Sequence, residues 1–385
     1  MKEVIALITY KYFILFLLLF LFILFYFKKD KFESIYEKME KYIKFNLGGN
    51  LNHSPSEFYK RENPEISIVI STFNGEVYLK PALRSIQNQN FLNIEIIIVD
   101  DGSMDNTVEV AKELMKEDRR IKLLINDINR GTLYTKTKGV LNAKGNYVMT
   151  LDHDNLYSTK DVFSRLYKEA KKYNLDLLGF SSIFTGVEIK NLTNKYFFNY
   201  FETKVIKKPN IKNRFLGFNR KVESCTFLCL YFIKTKLFLN VINLLRDEFL
   251  NRNIDDGDDT ILMFILSRNA KTLKHLKQIF YIILAWPEKY SESLKFQRTV
   301  KNREREKKNC YSYLTFTEIL LKFTEHNDKF IAENYFLSLF IRNKKCKNHT
   351  NIMNDASRVC NLYLNNEYIS SNAKKEISLY LNRTK

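Results

Sequence analysis

Hydrophobic positions fall into three successive patterns along this chain. From Val4 to Phe27 the residues are apolar except for a few polar ones, of which Lys11 is the only charge. Tyr12 to Phe27 is uninterrupted. At about 1.5 Å per residue the longer stretch covers a bilayer core of about 30 Å, with Lys11 reaching back toward the headgroups. No small-residue cleavage site follows, since the stretch runs out as Phe25-Tyr26-Phe27-Lys28-Lys29, so an uncleaved membrane anchor is expected rather than a signal peptide. Phe32, Ile35, Tyr36, Met39 and Ile43 then recur at helical spacing and predict an amphipathic stem over 31–46. Gly48, Gly49, Pro55 and Pro64 mark a linker behind it.

From Ile66 the rhythm alternates between strand and helix. Ile66 to Ser71 is a short β-run, and Ile94 to Val99 is a nearly continuous apolar strand of the kind buried on both faces. Ile121 to Ile125 and Tyr147 to Leu151 add a third and a fourth strand. Between them lie helical spacings: Tyr78, Leu79, Ala82, Leu83 and Ile86; Val108, Ala111, Leu114 and Met115; and the run Thr132 to Ala143. This alternation predicts right-handed crossovers and a mainly parallel central sheet flanked by helices, an α/β fold. Further on, Leu177 to Phe180 and Phe227 to Ile233 read as strands, Leu237, Val241, Leu244 and Leu245 as a helix. The sheet pattern ends after Tyr281 to Pro287, and Leu314 to Leu381 reads as several helices. Asn191 to Arg220 is a Lys-, Asn- and Phe-rich loop, in the position of a lid.

Ligands of parallel sheets bind at the carboxyl ends of the strands. Three strand ends here carry polar loops: Ser71-Thr72-Phe73-Asn74, Asp100-Asp101-Gly102-Ser103 and Asp152-His153-Asp154-Asn155. If strand geometry persists, Asp152 and Asp154 face one side and His153 the other. Two like charges that close repel, and a divalent cation bridging to phosphate would relieve them, although Asp and Asn are also ordinary turn formers. No GxxxxGK[ST], no GxGxxG after the first strand and no HExxH is present, which disfavours P-loop, dinucleotide and zinc-protease chemistry.

Composition changes the picture little. The net charge of +19 over 385 residues suggests an anionic partner. Lys and Arg are nonetheless spread along the whole chain, without zinc-finger spacing or an aromatic RNA-binding pattern, and no nucleic-acid partner is expected. Lys289 to Lys308 is basic and reads as a solvated segment, with a phosphate or membrane contact as the alternative. The five cysteines form no CxxC pair, which argues against a disulfide framework and a structural zinc site.

In order and spacing, Pro64 to about Asn155 resembles the N-terminal half of the glycosyltransferase family 2 domain, a GT-A type nucleotide-sugar fold. The matching pieces are Ile68 to Asn74, Leu83 to Gln89, Ile98 to Thr107, Asn129-Arg130-Gly131, Ala143 to Tyr147 and Asp152-His153-Asp154. The resemblance implies that Ser71, Thr72 and Phe73 line a nucleoside pocket whose loop Asn74 and Glu76 shape. It implies that Asp101, with Asp100 beside it, hydrogen-bonds a base such as uracil, that Asp152 faces the ribose or the metal, and that Asp154 holds Mn²⁺ or Mg²⁺ on the diphosphate. Where many members carry Arg-Asn, this chain has Lys136-Thr137, so a phosphate contact there would fall to Lys136.

Downstream, Asp255-Asp256-Gly257-Asp258-Asp259 precedes a helical apolar run. The family has a Glu-Asp pair at this point, and by resemblance Asp259 matches its catalytic base with Asp258 in the Glu slot, a register open by one residue. Helix N-capping is the other reading of these carboxylates. The implied activity is inverting, metal-dependent transfer of a sugar from a nucleotide-diphosphate donor, a UDP-sugar by the uracil argument, to a hydroxyl of a glycan, lipid or protein. The alternative is an inactive relative that binds a nucleotide sugar or a partner.

The expected organisation is thus an anchor at 1–30, a stem and linker at 31–63, a GT-A domain at 64–290 and a helical C-terminal extension at 291–385. Lys28, Lys29, Lys31, Lys38, Lys41 and Lys44 follow the span and only Lys2 and the terminal amine precede it. The positive-inside rule therefore leans toward a cytosolic domain, with a lumenal domain as the other orientation.

Overall fold

A computed structural model describes residues 62–186, 197–198, 204–208, 210–211, 227–254, 257–285, 302–323, 333, 337, 353–367 and 369–384. The predicted anchor and stem, most of the loop 191–220, Asp255-Asp256 and residues 289–301 lie outside the described residues. Among the described residues no helix is long and apolar enough to cross a membrane.

Strand β1 (Ile66–Thr72) is buried along its whole length, as a strand flanked on both sides must be. Strands β2 (Ile94–Asp100) and β4 (Tyr147–Asp152) pair with it in parallel, and β3 (Ile121–Ile125) pairs with β2. The register sets Thr72 opposite Asp100 and Ser71 opposite Asp152, so the three polar strand ends stand in one row.

The crossovers are α1 (Leu79–Gln87), α2 (Thr107–Glu117) and α3 (Thr132–Leu141). Helix α1 turns Leu79, Ala82, Leu83 and Ile86 inward at three- and four-residue spacing. Helix α3 lies unusually close to the sheet because of Gly139. A Cβ there would stand 2.3 Å from Val69 Cγ1, so no larger residue fits without separating helix and strand.

Beyond β4 come β5 (Leu156–Tyr157), α4 (Val162–Tyr173), β6 (Leu177–Gly186), β7 (Phe197–Phe198), β8 (Ile206–Lys207) and β9 (Tyr231–Lys234). The chain continues as α5 (Thr235–Leu250), α6 (Asp258–Asn269) and β10 (Thr272–Ala285). The sheet order is β3-β2-β1-β4-β9-β6-β10-β5, with β7 on β6 and β8 on β10. Strands β1 to β4, β6 and β10 share one direction, and β9 runs against both β4 and β6. The mainly parallel α/β sheet is therefore as expected.

Two element boundaries are corrected. Leu228–Leu230 is a 3₁₀ turn rather than the start of a strand, which begins at Tyr231. The last strand starts at Thr272, well before the apolar stretch from Tyr281. Helices α7 (Asn302–Phe323), α8 (Met353–Leu364) and α9 (Ser371–Thr384) follow. Leu314, Phe316, Ile319, Val359, Tyr363 and Ile377 belong to the same apolar core as the sheet residues. Cys229 and Cys360 are free and buried, whereas Cys310 is disulfide-bonded, so the odd cysteine count conceals one cross-link.

Candidate active site

The loops after β1 and β2 are fastened to each other by side chains of small polar residues. Ser103 Oγ accepts the Asn74 N–H at 2.9 Å, Thr107 Oγ1 accepts the Gly75 N–H at 2.7 Å, and Asn74 Oδ1 accepts the Met104 N–H at 3.0 Å. Asn74 takes the left-handed conformation at φ 50°, which an Asn tolerates better than most residues. Glu76 Oε1 accepts Asn106 Nδ2 at 2.7 Å. Ser71 and Thr72 are buried at the end of β1 and Phe73 is half-buried. Among the described residues Thr72 Oγ1 finds no hydrogen-bond partner, which leaves a buried hydroxyl at the strand end with capacity for a ligand.

Both carboxylates after β2 hold loops. Asp100 Oδ1 and Oδ2 accept Ser103 Oγ at 2.5 Å and Ser103 N–H at 3.0 Å, and burial pushes its carboxyl above the usual range despite these bonds. Asp101 accepts Asn126 Nδ2 and the Arg130 N–H, each at 2.8 Å, and the Gly131 N–H at 2.9 Å. Three donors leave Asp101 little spare acceptor capacity. It pins the Asn129-Arg130-Gly131 loop, a role the sequence reading did not give it, and it needs Asn126, which no motif had marked.

Strand β4 ends at Asp152 and a turn carries His153 and Asp154. The premise of persisting strand geometry therefore fails: these residues are set by a turn, the geometry Asp and Asn favour. His153 turns back, with Nδ1 donating to Ser71 O at 3.2 Å and its ring 5.8 Å from that of Tyr78. Asp152 is anchored from below, since its N–H donates to Tyr281 Oη at 3.3 Å. Tyr281 is another residue the motifs missed, because it reads as one more apolar strand position. Burial raises the Asp154 carboxyl above its ordinary range and the nearby Asp152 charge adds to this, while His153 opposes it.

The acidic segment joins this row through one residue. Lys136, carried inward by α3, is only 4% exposed. Its Nζ lies 2.7 Å from Asp259 Oδ1, 2.9 Å from Asp258 Oδ2 and 3.6 Å from Asp152 Oδ1. Burial alone would favour the neutral amine, but the three carboxylates hold Lys136 protonated well above its ordinary range. Asp259 is pushed up to about 7, chiefly by burial and partly by Asp258 and Asp152, against the opposing effect of Lys136. Asp258 and Asp259 sit in the first turn of α6 behind the left-handed Gly257 at φ 84°, where the helix dipole favours negative charge. Neither carboxylate caps that helix through its side chain at the N-cap position, which Gly257 occupies.

Three carboxylates, Asp152, Asp258 and Asp259, thus share one ammonium, and Asp154 adds a further buried carboxyl beside Asp152. Among the described residues no group of three His, Cys, Asp or Glu side chains is arranged to hold a metal unaided. Asp152 and Asp154, near each other at the end of β4, are oxygen donors of the type from which a Mg²⁺- or Mn²⁺-type ion would take one or two ligands, with phosphate oxygens for the rest.

Residues 67–233 match the sequence model described as "Glycosyl transferase family 2". An uncharacterized glycosyltransferase of Haemophilus influenzae is 34% identical over 103 residues, which is 27% of this chain and 41% of that protein. A GalNAc(5)-diNAcBac-PP-undecaprenol beta-1,3-glucosyltransferase of Campylobacter jejuni is 42% identical over 93 residues, 24% of this chain and 30% of that one. The uncharacterized glycosyltransferase EpsJ of Bacillus subtilis is 27% identical over 229 residues, 60% of this chain and 63% of its own length. The matched region therefore spans between 30% and 63% of these curated relatives. Among solved structures, S. aureus TarS residues 1–349 in complex with UDP-GlcNAc aligns with a TM-score of 0.54 at 16% identity, over 83% of this chain and 90% of that one. That likeness speaks to the fold.

Proposed function

We propose that this chain, whose residues 67–233 match glycosyl transferase family 2, carries out an inverting transfer of a sugar from a nucleotide-diphosphate donor to an acceptor hydroxyl. The observation that carries the reading is the ammonium of Lys136, which lies between Asp152 at the end of β4 and Asp259 at the start of α6. It joins a donor-side carboxylate to an acceptor-side carboxylate across more than a hundred residues of sequence.

On the donor side, Ser71, Thr72 and Phe73 receive the nucleoside, with the free hydroxyl of Thr72 offering a polar contact. Asp154 and Asp152 would hold a divalent cation, which neutralises charge on the leaving diphosphate. On the acceptor side, Asp259 takes the proton of the attacking hydroxyl. That oxygen bonds to the anomeric carbon as the bond to the diphosphate oxygen breaks, and a single displacement inverts the centre. Asp259 suits this work because a base with a pKa near the working pH is both deprotonated and strong enough to accept a proton. The apolar run Val4 to Phe27 anchors the enzyme at a membrane, which would hold it near a membrane-associated acceptor.

The test uses the full-length chain in detergent with Mn²⁺ and a panel of nucleotide sugars. The panel begins with UDP-sugars because the fold neighbour TarS is described with UDP-GlcNAc. Release of nucleoside diphosphate dependent on acceptor is expected. Asp259→Asn should lower turnover by about 10²–10⁴-fold while donor binding persists. Full transfer by Asp259→Asn would remove the base assignment, and donor binding without any turnover by the wild type would make the protein the non-catalytic relative.

A further inference from the structure

Among the described residues, helices α7 to α9 supply none of the site side chains named above, yet they grip the segment that leads to Asp258 and Asp259. Asn251 to Ile254 is a strap between α5 and the acidic turn of α6. On its inner side, Ile254 O accepts Thr132 Oγ1 at 3.1 Å and the Leu133 N–H at 3.2 Å. Asn253 Nδ2 donates to Asn129 O at 3.1 Å, and Arg130 Nη2 donates to Asn251 Oδ1 at 2.8 Å. Gly131 lies so close that a Cβ there would stand 2.7 Å from Ile254 N. The strap is thus pressed onto the start of α3, the helix that carries Lys136.

On its outer side Arg252 reaches α7. Arg252 Nη1 donates to Glu318 Oε2 at 2.9 Å and to Thr315 Oγ1 at 3.2 Å, both on α7. Glu318 also receives Arg358 of α8 through both terminal nitrogens, at 2.6 and 2.8 Å. The Glu318 side chain is only 10% exposed, so these are charge-assisted bonds in a poorly hydrated place. Were the cluster only a tether between α7 and α8, the two-pronged contact with Arg358 would suffice. The arm to Arg252 instead ties it to a strap that reaches Asp258 and Asp259 within a few residues.

We propose that Glu318 is a positioning residue: through Arg252 the C-terminal helices fix the strap, and so set Asp258 and Asp259 against Lys136. The role rests on the proposed transfer reaction, in which Asp259 is the base. Small displacements of a reacting group are costly in turnover and far less so in binding of a substrate held elsewhere.

Three variants of the full-length chain test this, each followed by steady-state kinetics and by hydrogen exchange of the backbone over 251–262. Glu318→Gln and Arg252→Met should lower kcat by about tenfold, keep the donor KM within about twofold, and raise exchange over 251–262 but not over β1. Glu318→Asp should recover part of the turnover. Arg358→Met, which removes the ion pair of Glu318 with α8 but leaves the arm to the strap and the Tyr363–Thr317 bond, should keep kcat within about twofold. Equal loss of turnover in Arg358→Met and Arg252→Met would reduce the cluster to general stability and overturn the proposal. So would an active Arg252→Met with unchanged exchange. A wild type inert toward every donor would instead overturn the transfer reading, whereas full turnover by Arg252→Met despite raised exchange would overturn the positioning role of Glu318.

Discussion

Lys136 is a single ammonium among carboxylates, and that imbalance governs how the pocket titrates. With Asp259 pushed up to about 7 by burial and by Asp258 and Asp152, the base is protonated in acid and free above neutrality. We expect kcat/KM to rise with pH through about 7 and level off, whereas an unperturbed carboxylate would give a limb near 4. Lys136→Met removes the group that draws this pKa down, so the limb should move to higher pH. The same shift links to stability: a carboxyl whose folded pKa is raised adds stability at low pH that is lost as pH rises from about 4 to about 7. Asp259→Asn should therefore gain thermal stability relative to wild type as pH goes from 5 to 8. Melting curves at the two pH values check it, and an advantage that shrinks with pH would refute the assigned direction. The residues themselves were readable in sequence, and the open register proved immaterial to their meeting, because Lys136 contacts both Asp258 and Asp259.

Strand ends were legible because apolar runs such as Ile94 to Val99 stop abruptly at carboxylates, and the parallel register does the rest. Side-chain partners of those ends were not. Asn126 and Tyr281 reach the site through folding contacts that have no spacing signature. Strand β10 was hidden in its first half by Lys274, His275, Lys277 and Gln278, which break the apolar alternation. His275 is nonetheless 3% exposed, held neutral by burial with a pKa lowered to about 3, and bonded to Tyr231 Oη at 3.2 Å. It is admitted by Gly179 on the neighbouring β6, where a Cβ would lie 2.1 Å from His275 Nε2, beside the irregularity in the β6–β10 pairing between His275 and Ile279. Gly179→Ala should cost about 1–3 kcal/mol by overpacking, read as a lower urea midpoint at unchanged slope. Adding His275→Ala should return part of that loss, because the two changes share one cavity. A neutral Gly179→Ala would mean the imidazole can move aside.

At the scale of the molecule, the sequence separated a domain at 64–290 from a helical extension, while the structure joins them in one core. Amphipathic spacing in Leu314 to Leu381 reveals that each helix has a face to bury, but periodicity carries no address for that face, so the partner had to come from the fold. The inner face of α8 shows the consequence. Tyr363 is fully buried, its hydroxyl donates to Thr317 O of α7 at 2.9 Å, and its ring lies in the apolar core that includes the sheet. Truncating it removes a large buried ring, for which about 3–5 kcal/mol is the expected cost. If α7 to α9 were a separate unit, Tyr363→Ala would produce an early transition that leaves the sheet and its pocket folded. A shared core predicts the opposite: one transition, displaced downward, in which helical circular dichroism and loss of donor binding coincide. Two separated transitions in the variant would divide the molecule where its sequence seemed to, and would also leave Glu318 without a rigid base from which to hold the strap.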